Sequence, residues 1–145
     1  MRFAVTLVSV LLAASASLAA PAASLESRQI GNLACNVARF KIVTDLVKTG
    51  NTLKKVDTTD PTVADAVTTA QGGLKSAGDG IKAIAAALVT GQAAPADARD
   101  QVGAGLQTAA DSLTALQSDD TNVQDTLTQL QAAADAGSDV LTNCK

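Results

Sequence analysis

The chain has 145 residues, 47% of them apolar, a formal net charge of −3, and no histidine, tryptophan or tyrosine. Without histidine, Ser-His and Cys-His catalysis are excluded, along with the commonest metal ligand. An acidic chain almost without aromatic rings also lacks the stacking platforms that nucleic-acid binders use.

The first element in chain order is a targeting segment. Arg2 supplies a positive start, Phe3 to Ala14 an apolar core, and Ser17-Leu-Ala19 small residues at a cleavage site. The apolar run is too short for a retained transmembrane helix, so residues 1–19 are predicted to be a secretory signal. Residues 20–28, ending at Ser27-Arg28 before Gln29, have the character of a short pro-segment. One domain over 29–145 remains.

Helical spacing of apolar residues begins there. Ile30, Leu33, Val37, Phe40 and Val47 mark one stripe of a first helix, and Ile42, Leu46, Leu53 and Val56 widen it, which predicts a broad buried arc. The helix should end near Lys54-Lys55. Asp60-Pro61 then offers an N-cap followed by proline at the first helical position. The second helix carries Val63, Val67, Ala70, Leu74, Ala77, Ile81, Ile84 and Leu88 in steps of four and three, and stops at Thr90-Gly91. Gly72-Gly73 and Gly78-Asp-Gly80 interrupt it, so a break near Asp79 would give five helices instead of four. A third helix starts around Ala94-Pro95 with Val102, Leu106, Ala109, Leu113 and Leu116. A fourth follows Ser118-Asp-Asp120 with Val123, Leu127, Leu130, Ala134, Gly137 and Leu141. Nothing alternates with period two for long enough to propose a strand.

The prediction is an all-α, antiparallel up-down-up-down four-helix bundle. Cys35 lies early in the first helix and Cys144 just past the fourth, and that topology brings the two together. In a secreted chain an even cysteine count implies a disulfide, here closing a loop of about 110 residues worth roughly 4–5 kcal/mol, with intermolecular pairing as the alternative.

Three segments repeat the form Leu-x-x-Ala-x-Asp, at Leu74–Asp79, Leu106–Asp111 and Leu130–Asp135. At 100° per residue the aspartate lies about 140° from the leucine, so all three carboxylates should face solvent on different helices, with no metal or catalytic role. The leucine and alanine carry packing information instead, and Gly73 and Gly105 just before two of the leucines permit close helix contact. Such an alanine-rich core is shallow. The bundle should lean on its disulfide and open at the ends which that bond does not hold.

Charge is segregated. Arg39, Lys41, Lys48, Lys54 and Lys55 oppose only Asp45, whereas residues 57–145 hold four cations against twelve aspartates. One reading is a basic helix docked among acidic ones. The other is a basic face for acidic headgroups or cell-wall polysaccharide.

Leu53-Lys-Lys-Val-Asp57, Ala83-Ile-Ala-Ala-Ala-Leu88 and Leu113-Thr-Ala-Leu116 lie in an Ala/Thr/Leu-rich helical chain behind a signal and an Arg-Gln junction. In these respects the chain resembles the fungal hydrophobic surface-binding protein A and cell-wall galactomannoprotein family. The resemblance implies a secreted or wall-associated protein that adsorbs to hydrophobic surfaces and can hold a fatty acid inside the bundle, with no catalytic residues and no cofactor. A lipid site is then expected between helices, lined by Val37, Phe40, Leu74, Ile81, Leu106 and Leu113, side chains that would serve equally as ordinary core. The alternative is a structural wall component or secreted effector acting by protein contact. An enzyme would need aspartates converging in a cleft beside substrate-gripping aromatics, and the sequence has neither sign.

Overall fold

The computed structural model describes residues 32–144, which form four α-helices: α1 (Leu33–Leu53), α2 (Pro61–Val89), α3 (Ala96–Thr114) and α4 (Thr121–Asn143). The expected signal, the pro-segment and Ile30 lie outside the described residues. The helices run up, down, up and down, joined by short turns at 54–60, 90–95 and 115–120.

Three of the four helices start at a side-chain cap. The Asn32 side chain caps α1 by accepting from the backbone N–H groups of Ala34 (3.0 Å) and Cys35 (3.3 Å). Asp60 and Asp120 cap α2 and α4 in the same way, each accepting at 2.7 Å from the N–H two residues on. Pro61 follows its cap at the first helical position. At the other end of α2, Gly91 takes a left-handed φ of 73°, while the N–H groups of Gln92 and Gly91 donate to the carbonyls of Ala87 and Leu88. This double bond to the last turn ends a helix where glycine is available to leave it.

The α2 helix is continuous over 29 residues, so the expected break near Asp79 does not occur and the helix count is four. Packing explains why the glycines do not break it. Gly73 and Gly80 are buried in the seam with α3, where a Cβ on Gly80 would meet the Ala98 carbonyl oxygen at 2.7 Å. Glycine's cost in helix propensity, about 1 kcal/mol, is offset there by close backbone approach and the contacts it permits.

The four helices form two tight pairs, α2 with α3 and α1 with α4, and the two pairs touch each other only sparsely. Both seams are built from small residues: Ala70, Gly73, Ala77 and Gly80 on α2, Ala98, Gly105 and Ala109 on α3, and Cys35, Ala38, Ala133 and Ala136 across the α1–α4 pair.

The α1 seam overturns one expectation. Leu33, Val37, Phe40 and Val47 do not form the buried stripe; they face outward, 77%, 57%, 74% and 60% exposed. The buried side of α1 is instead Cys35, Ala38, Ile42, Asp45, Thr49 and Leu53. A seam requiring close approach admits small side chains and excludes a column of Leu, Val and Phe.

One end of the bundle carries the α1–α2 and α3–α4 turns and is closed by Leu53, Val56, Leu113 and Val123, each no more than 6% exposed. The Asn122 side chain also bridges these two turns by donating to the Lys55 carbonyl at 3.4 Å. The opposite end holds the disulfide. Cys35 and Cys144 are bonded, with a Cα–Cα separation of 5.0 Å, joining α1 to the end of α4. Beside it the Asn32 side-chain amide donates to the Asn143 carbonyl at 2.9 Å. Both links lie within the α1–α4 pair, so neither ties that pair to the other.

Candidate functional site

Between the two pairs, towards the disulfide end, lies a half-open cavity of about 1080 Å³. Its position is a consequence of the seams. A residue one place after a seam residue is rotated 100° around the helix, away from the pair contact and towards the space between pairs. On α2, Ile81 and Leu88 follow the buried Gly80 and Ala87. On α3, Arg99, Gly103, Leu106 and Ala110 follow the buried Ala98, Val102, Gly105 and Ala109, and all six of these successors lie on the cavity wall. The α1–α4 pair contributes Ile42 and Val43 from α1 and Leu127, Leu130 and Leu141 from α4. The wall is therefore mainly aliphatic, and the void persists because the pairs are held by glycine and alanine contacts and not by side chains meeting at the centre.

The disulfide end is thus the hollow end. Cys144 itself lies on the cavity wall, and the tightly packed end is the one without the disulfide. A bond within one pair does nothing to draw the two pairs together.

Gln107, Thr114, Gln131 and Ser138 add polar groups to the wall, and the charged ones are Arg39, Arg99 and Asp100. Partial burial lowers the Arg39 guanidinium from its ordinary value, a desolvation effect. Arginine nonetheless keeps its charge in proteins, so the cavity presents cationic donors alongside its apolar surface.

The residues expected to line a lipid site are divided by the structure. Ile81 and Leu106 are on the cavity wall. Leu113 is 1% exposed in the core at the closed end, and Leu74 is half-buried against the same core. Val37 and Phe40 lie on the outer surface. Sequence reasoning missed Ile84, Leu88, Leu127, Leu130 and Arg99. The Gly-Ile and Gly-Leu pairs at 80–81 and 105–106 mark a seam residue and its cavity-facing successor, but Gly73-Leu74 has the same form and Leu74 lies off the wall, so no local signal singled out the missed residues.

The expected basic face is likewise split. Arg39 turns to the cavity. Lys41 pairs with the buried Asp45 at 3.0 Å and also donates to the Ala132 carbonyl at 3.1 Å, while Lys48 approaches Asp45 at 3.7 Å. Lys54 and Lys55 are exposed in the turn after α1.

The three repeated aspartates sit on α2, α3 and α4 and do not converge. Each is held by the side chain four residues earlier. Lys75 donates to Asp79 at 2.8 Å, Gln107 to Asp111 at 2.7 Å, and Gln131 to Asp135 at 2.9 Å. The second position of the repeat is therefore the partner of the sixth, an i,i+4 pair on the helix surface. Asp79 has a second partner in Lys82 at 3.0 Å, and these two lysines hold its carboxyl below the usual carboxylate value. Among the described residues no cluster of His, Cys, Asp or Glu could hold a metal ion, and no helix is long and apolar enough to cross a membrane.

No protein-family model, curated protein or solved structure matches the chain, so the reading of this site rests on its own residues.

Proposed function

We propose that the protein is a secreted, non-enzymatic binder of lipids that takes an acyl chain into the cavity between its two helix pairs. The observation that carries this reading is the half-open cavity of about 1080 Å³ whose wall is mainly Ile, Leu, Val and Ala side chains with a minority of polar groups. Ligand sites typically enclose about 300–1,000 Å³ and combine an apolar lining with a few polar groups. Arg39 and Arg99 supply cationic donors suited to a carboxylate or other acidic headgroup, and the aliphatic wall suits the chain. A ligand there would recover dispersion contacts that the two pairs do not make with each other. The likeness of composition and helix layout to the hydrophobic surface-binding and galactomannoprotein family points the same way, and so does the disulfide, a bond of oxidising compartments.

The test is titration with a fluorescent long-chain fatty-acid probe, alongside native mass spectrometry of the purified protein. One probe should bind per chain and be displaced by unlabelled fatty acid. Ile84→Trp, a half-buried wall position where the indole would occupy the void, should abolish that binding while leaving the circular dichroism spectrum helical. Absence of saturable binding in the wild type, or equal binding by Ile84→Trp, would overturn the reading.

A further inference from the structure

The outward side of α1 is a second apolar feature that the cavity does not use. Leu33, Val37, Phe40 and Val47 lie within about 40° of one line along the helix and span about 21 Å of its length. They lie diametrically opposite the buried arc of Cys35, Ala38, Ile42 and Leu53. A surface helix of a globular protein ordinarily carries polar residues there. Phe40, the only aromatic residue among those described, is 74% exposed in the middle of this line. No hydrophilic side chain interrupts the stripe except Thr44, whose hydroxyl donates to the Phe40 carbonyl at 2.9 Å.

Charge and position identify what covers it. Lys41 and Lys48 flank the stripe on one side, sharing the single carboxylate of Asp45 so that the flank keeps one net positive charge, and Lys54 and Lys55 stand exposed beyond its C-terminal end. The one carboxylate on this helix, Asp45, lies on the buried side and is only 8% exposed. From residue 57 to 144 the charge is reversed, with Lys75, Lys82 and Arg99 against twelve aspartates. The basic residues are therefore concentrated on α1 and the turn after it. Two copies of the chain meeting antiparallel through this face would set their Lys41 and Lys48 margins against each other. A single column of side chains is also narrow beside the roughly 800 Å² per partner of a stable protein interface. The face further adjoins the cavity: Val43, one turn past Phe40, is 42% exposed and at the same time lines the void.

We infer that the outer face of α1 is an interfacial docking surface for lipid assemblies with acidic headgroups, laying Leu33, Val37, Phe40 and Val47 into the headgroup–acyl boundary with the lysines at the phosphates. This is the arrangement of an in-plane amphipathic helix, apolar on one side and basic along its margin. It rests on the lipid reading only for the class of partner, because docking needs no ligand in the cavity. Docking in this orientation would put the cavity's Val43 edge next to the lipid layer, which is where an acyl chain would have to enter.

The experiment is flotation of the full chain with phosphatidylcholine vesicles, with and without phosphatidylglycerol, over a range of salt. Binding should require phosphatidylglycerol and weaken as salt rises. Phe40→Ser should reduce it about tenfold or more, since a largely exposed side chain that inserts carries most of its transfer energy into affinity. Lys48→Glu and Lys54→Glu together should remove the preference for acidic vesicles. Circular dichroism would verify folding of each variant, and light scattering would give the oligomeric state. Ile84→Trp should float as the wild type does even though its probe binding is lost, so failure of the cavity reading and failure of docking remain distinguishable. Phe40→Ser floating like the wild type would overturn the inference. So would a dimer that Phe40→Ser dissociates, because the face would then belong to a second copy.

Discussion

Gly73 and Gly105 oppose each other across the α2–α3 seam so closely that a Cβ on either would stand 2.5 Å from the other's carbonyl oxygen. The neighbouring Ala77 and Ala109 complete the contact from the two sides. Gly73→Ala must therefore push two helix backbones apart, and backbone has no rotamer with which to yield. Overpacking of this kind costs about 1–3 kcal/mol, and alanine's better helix propensity returns about 1 kcal/mol of it. Gly72, one residue away, has nothing within 4 Å of its missing Cβ. Urea denaturation should find Gly73→Ala destabilised and Gly72→Ala stabilised by about 0.5–1 kcal/mol. Equal effects at the two sites would refute the close seam.

The disulfide gives a second expectation. It joins residues 109 apart in sequence, so its removal in Cys35→Ser/Cys144→Ser releases a long loop in the unfolded chain. The chain-entropy model puts the loss at about 4–5 kcal/mol, and Tm should fall on the order of 10–20 °C. Thermal melts of the oxidised and reduced wild type would reproduce the difference. Asn32→Ala in the oxidised protein should cost about 1 kcal/mol, since Asn32 both caps α1 and binds the Asn143 carbonyl.

The Lys75–Asp79–Lys82 cluster should leave a signature in pH. The Asp79 carboxyl is held below its ordinary 3.8, chiefly by the hydrogen bonds from Lys75 and Lys82, so its contribution is present above pH 3.8 and lost as pH falls through the depressed value. Lys75 is raised above its ordinary 10.5, chiefly by its hydrogen bond to Asp79, so its contribution is complete below pH 10.5 and lost as pH rises through the raised value. The Tm difference between wild type and Asp79→Asn should be level across the intervening range and vanish at both extremes. Salt should diminish it, because all three groups are at the surface.

Gln117, in the turn after α3, has a φ of 46°, a left-handed conformation that costs a residue with a side chain about 1 kcal/mol. Gln117→Gly should raise stability by about 0.5–1 kcal/mol in chemical denaturation. A decrease would mean that the Gln117 side chain contributes more than its backbone strain removes.

Much of this architecture could be read from local residue order. Asp60-Pro61, Thr90-Gly91 and Asp120 mark helix ends because a capping carboxylate, a proline ring or a glycine acts within one turn of its own position. The pairing of Cys35 with Cys144 followed from four helices of alternating direction. The candidate site was less legible. Phe40 and Val37 carry a perfectly helical apolar rhythm, yet the same rhythm describes a buried face and an exposed one. Leu74 and Leu113 belong to the same heptads as Ile81 and Leu106, and only the last two reach the cavity.

The sequence by itself determined the helical segments, most of their ends, their order and the covalent closure, because these depend on periodicity and on caps that act over a few residues. Only the tertiary structure decided which apolar stripe of α1 is turned inward, that Gly73 and Gly80 sustain a helix instead of breaking it, and that the space between pairs stays hollow at the disulfide end. Those outcomes depend on how closely two backbones approach. That distance is set jointly by glycine and alanine on both partners, as Gly73 and Gly105 show, and no single helix carries it.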